Sequence, residues 1–243
     1  MNTTITLATA HRLLTQLRHD RRTLALLFGV PVLLMVLLRF VFNNTLVFNH
    51  VAPSLLGIFP FTVMFLVTSV ATLRERTTGT LERLMTMPMA KLDLLLGYAI
   101  AFGLLAVAQV VVVVAVTLWL GLSIAGPLWL LLVIAVLDAL LGTALGLFVS
   151  AFARTEFQVV QFMPAIVMPQ VLLSGLFVAR DEMSRVLQWI SDVLPLSYAV
   201  DATTAVTSSA ELTGTIARDL LVVAGAAALA LVLGAATLRR QTR

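Results

Sequence analysis

The sequence predicts an all-α integral membrane protein that forms a single domain over residues 1–243. Of these residues, 60% are hydrophobic and only 12% are charged, and the mean hydropathy is +1.04. Soluble domains instead have about 45–50% apolar and about 25% charged residues. Apolar runs of about 20 residues recur along the chain, and a helix of that length crosses roughly 30 Å of hydrocarbon. The lack of cysteine excludes disulfides, thiolate metal sites and a cysteine nucleophile.

Six transmembrane helices are predicted from the apolar runs. Their expected ranges are 23–42, 54–73, 92–120, 128–152, 157–178 and 220–238. The third run is longer than the hydrocarbon layer requires, so its helix is expected to tilt or to extend into the cytoplasm. The segment before the first run is polar and basic, so no cleavable signal peptide is expected.

An amphipathic interfacial helix is predicted within residues 1–22, before the first span. Ala10, Leu13, Leu14 and Leu17 recur at helical spacing, whereas histidine and arginine side chains share another face. Such a helix lies on the inner membrane surface, with its basic side toward lipid phosphates. The alternative, a polar segment that only leads into the first span, remains open.

The distribution of lysine and arginine predicts the orientation of the chain. If the N-terminus is inside, the inner side carries twelve of these residues and the outer side carries four. Because short loops rich in positive charge stay in the cytoplasm, both termini are expected there. The positive charges flank the spans, so they are expected to contact lipid headgroups and not nucleic acid.

The fifth span is predicted to be a broken helix. Pro164 and Pro169 lie within one apolar run, and each removes a backbone donor whose loss must be repaired in lipid. Region 179–217, which follows, is too long for a simple turn and carries more acidic than basic residues. It contains apolar residues on one helical face, at Met183, Val186, Leu187 and Ile190. A short outer-face helix that re-enters the membrane or caps it is therefore expected.

A polar segment interrupts the hydrophobic sequence at residues 74–91, between the second and third spans. It contains six charged residues, at Arg74, Glu75, Arg76, Glu82, Arg83 and Lys91. Gly79 followed by Glu82 resembles a helix start, and the residues after it that share one apolar face are Leu81, Leu84, Met85 and Pro88. A short cytoplasmic helix is predicted. It either docks into a groove on a partner protein or rests on lipid headgroups as a solvated loop.

This segment, ERTTGTLERLMTMPMAKLDLLLG, and the later stretches LLSGLFVARDEM and LPLSYAVDA resemble the ABC-2 type permeases. The resemblance is strongest to the drug-resistance branch, which includes daunorubicin exporters. It covers essentially the whole chain and departs mildly at Met87-Pro88, where the family usually has Thr-Pro or a similar pair. It implies a membrane subunit of an ATP-driven efflux system in the bacterial cell membrane.

The resemblance also implies partners and a coupling site. Two permease subunits, identical or different, would assemble with two ATP-binding cassette subunits, and segment 74–91 would be the coupling helix. The residues expected to contact the ATP-binding subunit are Arg74, Glu75, Arg76, Gly79, Thr80, Leu81, Glu82, Arg83 and Leu84.

The chain itself is not expected to be an enzyme or to bind a cofactor. The sequence contains no G-x-x-x-x-G-K-[ST] phosphate-binding loop, and its single lysine, Lys91, precedes a leucine. ATP and Mg²⁺ would therefore bind to the partner subunit. The three histidines are dispersed, so no metal site is predicted.

Polar residues within the predicted spans are candidates for a substrate path. Asp138 lies in the middle of the fourth span, where a carboxylate is costly. It either contributes to transport or joins two helices, with Gln109 as the expected hydrogen-bond partner. The fifth span adds Gln158, Gln161 and Gln170, which either line a path between two permeases or bond neighbouring helices.

Small residues on the fourth span indicate close helix packing. Gly142-x-x-x-Gly146 places two glycines on one face. Contact within one subunit is expected there, whereas the resemblance places the seam between permeases at the first and fifth spans.

The expected substrate is an amphipathic or hydrophobic compound, such as a drug, an antibiotic or a lipid-like molecule. A polysaccharide- or glycolipid-exporting permease of the same superfamily is one alternative. A stand-alone proton-coupled efflux carrier with Asp138 as its proton site is another, although no internal repeat or second broken helix supports it. A membrane-embedded lipid enzyme would need clustered catalytic side chains, which the sequence lacks.

Overall fold

The computed structural model of the protein describes residues 3–80, 91–209 and 214–237. Within these ranges 87% of the residues are helical and none lies in a strand, which confirms the predicted all-α class. In chain order the helices are α1 (Thr3–His19), α2 (Arg21–Leu24), α3 (Val30–Phe42), α4 (Thr45–Thr77), α5 (Lys91–Trp119), α6 (Leu128–Ser150), α7 (Glu156–Leu172), α8 (Arg185–Val193), α9 (Pro195–Ser208) and α10 (Gly214–Thr237). A π-helical turn, Ala25–Gly29, joins α2 to α3, and a 3₁₀ turn, Arg180–Glu182, precedes α8.

Five helical segments in the described part of the chain are long and apolar enough to cross a membrane. They are Arg21–Phe42, Thr45–Thr77, Leu96–Trp119, Leu128–Ser150 and Gly214–Gly234. These correspond to five of the six predicted spans, and the chain is an integral membrane protein. The predicted span 157–178 has no such counterpart, because α7 has 17 residues and ends at Leu172. The count of six spans is therefore not reproduced.

The helix α4 begins at Thr45, well before the predicted start at residue 54. The cause is a local cap, since the Asn44 side chain accepts a hydrogen bond from the backbone N–H of Leu46 at 2.8 Å. The preceding residue, Asn43, adopts a left-handed conformation with φ 44° and ends α3. A tight turn thus lets α3 and α4 run in opposite directions.

The two prolines of α7 do not break it, contrary to the prediction. The helix is continuous through Pro164 and Pro169 to Leu172, and the N–H of Leu173 still donates to the Pro169 carbonyl at 3.1 Å. A proline removes one helical hydrogen bond, but the bonds on either side maintain this helix. The chain turns only afterwards, at Gly175, whose φ of +93° favours glycine.

The stretches LLSG and LPLS, which are distant in sequence, meet just beyond the end of α7. The hydroxyls of Ser191 and Ser197 both donate to the Leu173 carbonyl, at 2.7 Å and 3.2 Å. Both serines are buried. These bonds satisfy a helix-end carbonyl and attach α8 and α9 to α7.

The bundle is centred on the pair α4 and α6. A Cβ atom on Gly146 of α6 would lie 2.6 Å from the Phe65 carbonyl oxygen of α4, and one on Gly142 would lie closer still to the Phe61 carbonyl oxygen. Only glycine permits this approach of two backbones. The expected packing of these glycines within one subunit is confirmed.

The helix α1, which was predicted to lie on the membrane surface, packs against the other helices of the bundle. Its predicted apolar face contains Ala10, Leu13 and Leu17, which are buried in the core of the bundle. On α5, a Cβ atom on Gly97 would lie 2.7 Å from the Thr9 Cβ atom. The apolar face of α1 thus packs against α5 where Gly97 allows a close approach.

The bundle has two ends, which we name after helices. The α1 end contains the C-termini of α4 and α6 and the N-termini of α5 and α7, whereas the α8 end contains the turns after α3, α5 and α7. At the α8 end, residues 179–209 contain two α-helices, α8 and α9, where one was expected. The apolar face of α8 is open, with Trp189 70% exposed, whereas α9 is buried against α4 and α10.

Candidate functional site

The charged residues that open segment 74–91 form a junction of four helices at the α1 end. Arg74 lies in the last turn of α4 and binds Glu156, the first residue of α7. The two atom pairs are Nε to Oε1 at 2.6 Å and Nη2 to Oε2 at 3.2 Å. Its remaining nitrogen, Nη1, lies 3.2 Å from Oδ2 of Asp20, which precedes α2. A two-pronged guanidinium–carboxylate pair specifies geometry as well as charge.

Glu75 forms a second ionic link, between α4 and α1. Its side chain is 3% exposed, and Arg12 Nη1 lies 3.0 Å from its Oε1 atom. Arg12 Nη2 also donates to Oε2 at 3.2 Å. A buried carboxylate requires such a partner, because an unpaired charge loses its hydration without compensation.

Arg76 completes the junction by reaching α6. Its guanidinium donates to the carbonyl oxygen of Ser150, the last residue of that helix. A cation is favoured there because helix C-termini present unpaired carbonyls and partial negative charge. The three successive residues of α4 therefore hold α1, α6 and α7 together at one level of the bundle.

Two carboxylates of the junction, Asp20 and Glu156, are stabilised in their charged form. The Thr23 hydroxyl donates to Asp20 at 2.7 Å, and this bond lowers the pKa of Asp20 below its ordinary value. Bonds from the backbone N–H groups of Thr23 and Arg22 act in the same direction. The Arg74 guanidinium lowers the pKa of Glu156.

Gly79 follows the junction and ends α4, with a φ of +72° that favours glycine. Thr78 closes the last turn by donating its hydroxyl to the Arg74 carbonyl at 2.8 Å. The Thr80 hydroxyl lies 3.1 Å from that of Thr78. Four of the expected contact residues, Leu81, Glu82, Arg83 and Leu84, lie outside the described residues, so the helix expected there stays a prediction.

Three charged residues that were expected to contact an ATP-binding subunit bind instead within the junction. Arg74, Glu75 and Arg76 all bind groups of their own chain. Glu75 is also too buried to touch a partner protein. Their partners Arg12, Asp20 and Glu156 were missed in the sequence. Two of these partners could have been found from helix-capping signals in the sequence. Asp20 caps the start of α2, and Thr155 caps α7 and so places the Glu156 carboxylate in its first turn.

The expected Asp138–Gln109 hydrogen bond is absent from the described residues. Both side chains are fully buried, but neither the Asp138 oxygens nor the Gln109 amide atoms have a hydrogen-bond partner there. Asp138 instead faces α4, where its Oδ2 atom lies 3.7 Å from the Cβ position of Gly57. The predicted pairing is wrong, since no hydrogen bond joins the two side chains.

The three glutamines of α7 do not share one environment. Gln158 accepts a hydrogen bond from the Arg154 N–H at 2.9 Å, at the start of the helix. Gln161 is exposed on the open face of α7, together with both prolines. Gln170 is buried and donates to the Ile166 carbonyl at 3.2 Å. Within this one chain, the three glutamines do not line a continuous substrate path.

The sequence matches the ABC-2 type transporter family over residues 4–207, from α1 to α9. This chain belongs to the ABC-2 type transporter family. The match includes every residue of the junction and both of the serines that bind the end of α7. The ABC-2 assignment agrees with the resemblance found in segment 74–91 and with the membrane-spanning helices.

Several curated relatives of this ABC-2 chain carry transporter names. "Probable multidrug ABC transporter permease YbhR" of Escherichia coli is 29% identical over 63% of this chain and 42% of its own length. "Probable multidrug ABC transporter permease YbhS" of the same organism is 27% identical over 67% and 44%. "ABC transporter G family member 20" of Dictyostelium discoideum is 24% identical over 65% and 22%. The aligned part thus spans less than half the length of each relative.

Proposed function

We propose that this chain is the permease subunit of an ATP-driven exporter that moves an amphipathic or hydrophobic compound out of the cytoplasm or the inner leaflet. The family and the membrane-spanning helices support a transport role. The names of the bacterial relatives support the substrate class. In this proposal the chain is not catalytic, and a separate ATP-binding cassette subunit binds ATP and Mg²⁺.

The α1 end faces the cytoplasm in this proposal, and both termini lie inside a bacterial cell membrane. The support is the charge distribution, because Arg12, Arg74 and Arg76 lie at this end. At the α8 end the arginines are fewer, with Arg39 and Arg180 beside the helix turns. Positive residues concentrate on the cytoplasmic side of membrane proteins.

The observation that carries the proposal is the junction around Arg74, Glu75 and Arg76. Residues 81–90 connect this end of α4 to α5 in the chain, so a partner that displaces them acts beside the junction. Through the ion pairs and the Arg76 contact, such a displacement reaches α1, α6 and α7. We infer that Leu81, Glu82, Arg83 and Leu84 contact the ATP-binding subunit and that the junction transmits the motion.

The complete transporter contains two permeases and two ATP-binding subunits in this proposal. Apolar faces left open by the described part of the chain support a second permease. On α3 the exposed residues include Leu33, Leu37 and Phe40, and on α7 they include Phe157 and Val160. A second copy or a related permease covers part of this surface, and lipid covers the remainder.

The test is a double charge reversal, Glu82→Arg with Arg83→Glu, in the permease assembled with its ATP-binding partner in proteoliposomes. We expect ATP hydrolysis to continue while export of the substrate falls at least tenfold. Arg18→Glu serves as the control, because Arg18 is exposed and has no ion pair in the described residues. Normal export per ATP hydrolysed in the double variant would refute the coupling role.

A stand-alone proton-coupled carrier is the second candidate, and the buried Asp138 favours it. A fully buried carboxyl group without a hydrogen-bond partner in the described residues has the character of a proton site in a carrier. Its test is transport by the purified permease alone under a pH gradient. Uptake without ATP that is lost in Asp138→Asn would replace the exporter proposal, whereas no uptake excludes the carrier.

A further inference from the structure

A polar cavity of about 750 Å³ opens at the α8 end of the bundle. Its walls come from α4, α8, α9 and α10 and from the turn after α7, and they include Ser54, Tyr198 and Asp219. Binding sites for small molecules have volumes of about 300–1,000 Å³. The cavity is thus large enough for a drug-sized molecule, and it lies at the opposite end of the bundle from the junction.

The charge of the cavity favours cations. Its lining contains four carboxylates and two guanidiniums, a net charge of −2 when His50 is neutral, and these groups are Asp181, Asp192, Asp201, Asp219, Arg180 and Arg218. Arg180 binds Asp192 at 2.5 Å and also pairs with Asp201. Its guanidinium lies 5.0 Å from the centre of the Tyr198 ring. Arg180 and its two carboxylates therefore form a closed group with a single excess negative charge.

Asp219 is a buried carboxylate in the wall of this cavity that lacks a close partner in the described part of the chain. It is 9% exposed, and no hydrogen bond or ion pair within 4.0 Å joins it to another described residue. The neighbouring Arg218 lies instead 5.9 Å from the centre of the Tyr198 ring. A buried carboxylate without a partner is unfavourable. A ligand that brings a positive charge and a hydrogen-bond donor would relieve that cost.

The arrangement of the carboxylates argues for an organic cation. In the described residues no three His, Asp or Glu side chains are close enough to hold a metal ion together. The cavity also offers apolar wall groups from Leu176, Phe177 and Val200. We propose that it binds a protonated amphipathic amine, whose N–H group donates to Asp219 and whose apolar part contacts these side chains.

This inference goes beyond the proposed function and is tested without ATP or an ATP-binding subunit, so the two can fail separately. The probe is dansylcadaverine, a fluorescent primary amine, added to the purified chain in lipid nanodiscs at pH 7. Nanodiscs without protein correct for partition into lipid. We expect saturable binding that weakens at least tenfold in Asp219→Asn, and at least tenfold for N-acetylated dansylcadaverine, which lacks the charge.

Two further variants separate the cavity from general surface charge and from misfolding. Glu182→Gln removes a carboxylate from the same surface but not from the cavity wall, and it should bind dansylcadaverine normally. Thr215→Phe places a ring into the cavity from an exposed position on α10, and it should abolish binding while the fold persists. Equal binding by Asp219→Asn, by the acetylated probe or by Thr215→Phe would overturn the proposal, as would the same loss in Glu182→Gln.

Discussion

Glu75 of α4 lies buried at the α1 end and is paired with Arg12 of α1, with 3.0 Å between Oε1 and Nη1. The pair joins residues that are 63 positions apart in the chain. Because α1 also packs on α5 through Gly97, it is held at two places, one polar and one apolar. The helix α1 is therefore an integral part of the bundle, and displacement of α4 must either carry α1 along or break a buried ion pair.

Removal of Arg12 should destabilise the chain. Arg12→Met leaves the Glu75 carboxylate buried without a cation, which costs on the order of 3 kcal/mol. The double variant Arg12→Met with Glu75→Leu removes both charges and should recover most of that loss. Unfolding of the purified chain in detergent measures the difference. If the double variant is no more stable than Arg12→Met, the pair does not hold α1 in place.

Loss of the Arg74–Glu156 contact should affect transport more than stability. Both side chains are about half exposed, and such ion pairs contribute roughly 0–1 kcal/mol to stability. Under the proposed function, however, Arg74→Ala separates α7 from the end of α4 and should lower export per ATP hydrolysed. Arg18→Ala is the matched control at the same end. Equal export by Arg74→Ala and the control would mean that motion of the ATP-binding subunit is not transmitted through Arg74.

Acidification should weaken the junction. The pKa of Glu156 is lowered in the folded chain, chiefly by the Arg74 hydrogen bond. A lowered folded pKa means that the stabilisation is complete above the ordinary glutamate range and is lost as the pH falls through the folded pKa. The difference in thermal unfolding between wild type and Glu156→Gln should therefore be largest at pH 7 and shrink as the pH falls from the ordinary glutamate range toward pH 2. A constant difference across that range would contradict the contribution of Glu156.

The contact of α6 with α4 should not tolerate side chains at its glycines. Gly142→Ala places a methyl group against the Phe61 carbonyl oxygen, and overpacking of this kind costs about 1–3 kcal/mol. Gly225→Ala of α10 is the control, because no atom lies within 4 Å of its Cβ position. Alanine favours a helix over glycine by up to about 1 kcal/mol, so the control should not be destabilised. Unfolding in detergent compares the two variants, and equal stability would refute the close contact.

The hydropathy of the chain was sufficient to predict its class and five of its spans. This succeeds because a backbone in lipid must satisfy its own hydrogen bonds, so each long apolar run becomes a helix regardless of its neighbours. The glycines of α6 were equally informative, since close backbone approach is a local property of the residue type.

For the helix α9, the local pattern of polar and apolar residues was insufficient to predict that it is buried. Its sequence, PLSYAVDATTAVTS, contains several polar residues and was assigned to an outer region and not to the core. In the bundle its hydroxyls bond to its own backbone, with Thr203 donating to the Val200 carbonyl at 2.9 Å and Thr207 to the Thr203 carbonyl at 3.0 Å. These polar groups can therefore be buried once α4 and α10 surround them.

The charged segment 74–91 shows the same contrast between what the sequence predicts and what only tertiary packing decides. Its composition and position between two spans were evident from the residues, and so was its likeness to a transporter family. The pairing of Glu75 with Arg12 and of Arg74 with Glu156 could not be predicted from the residues, because those partners lie 63 and 82 positions away in the chain. Ion pairs act over a few ångströms, so they depend on where packing places α1 and α7 and not on the order of the chain.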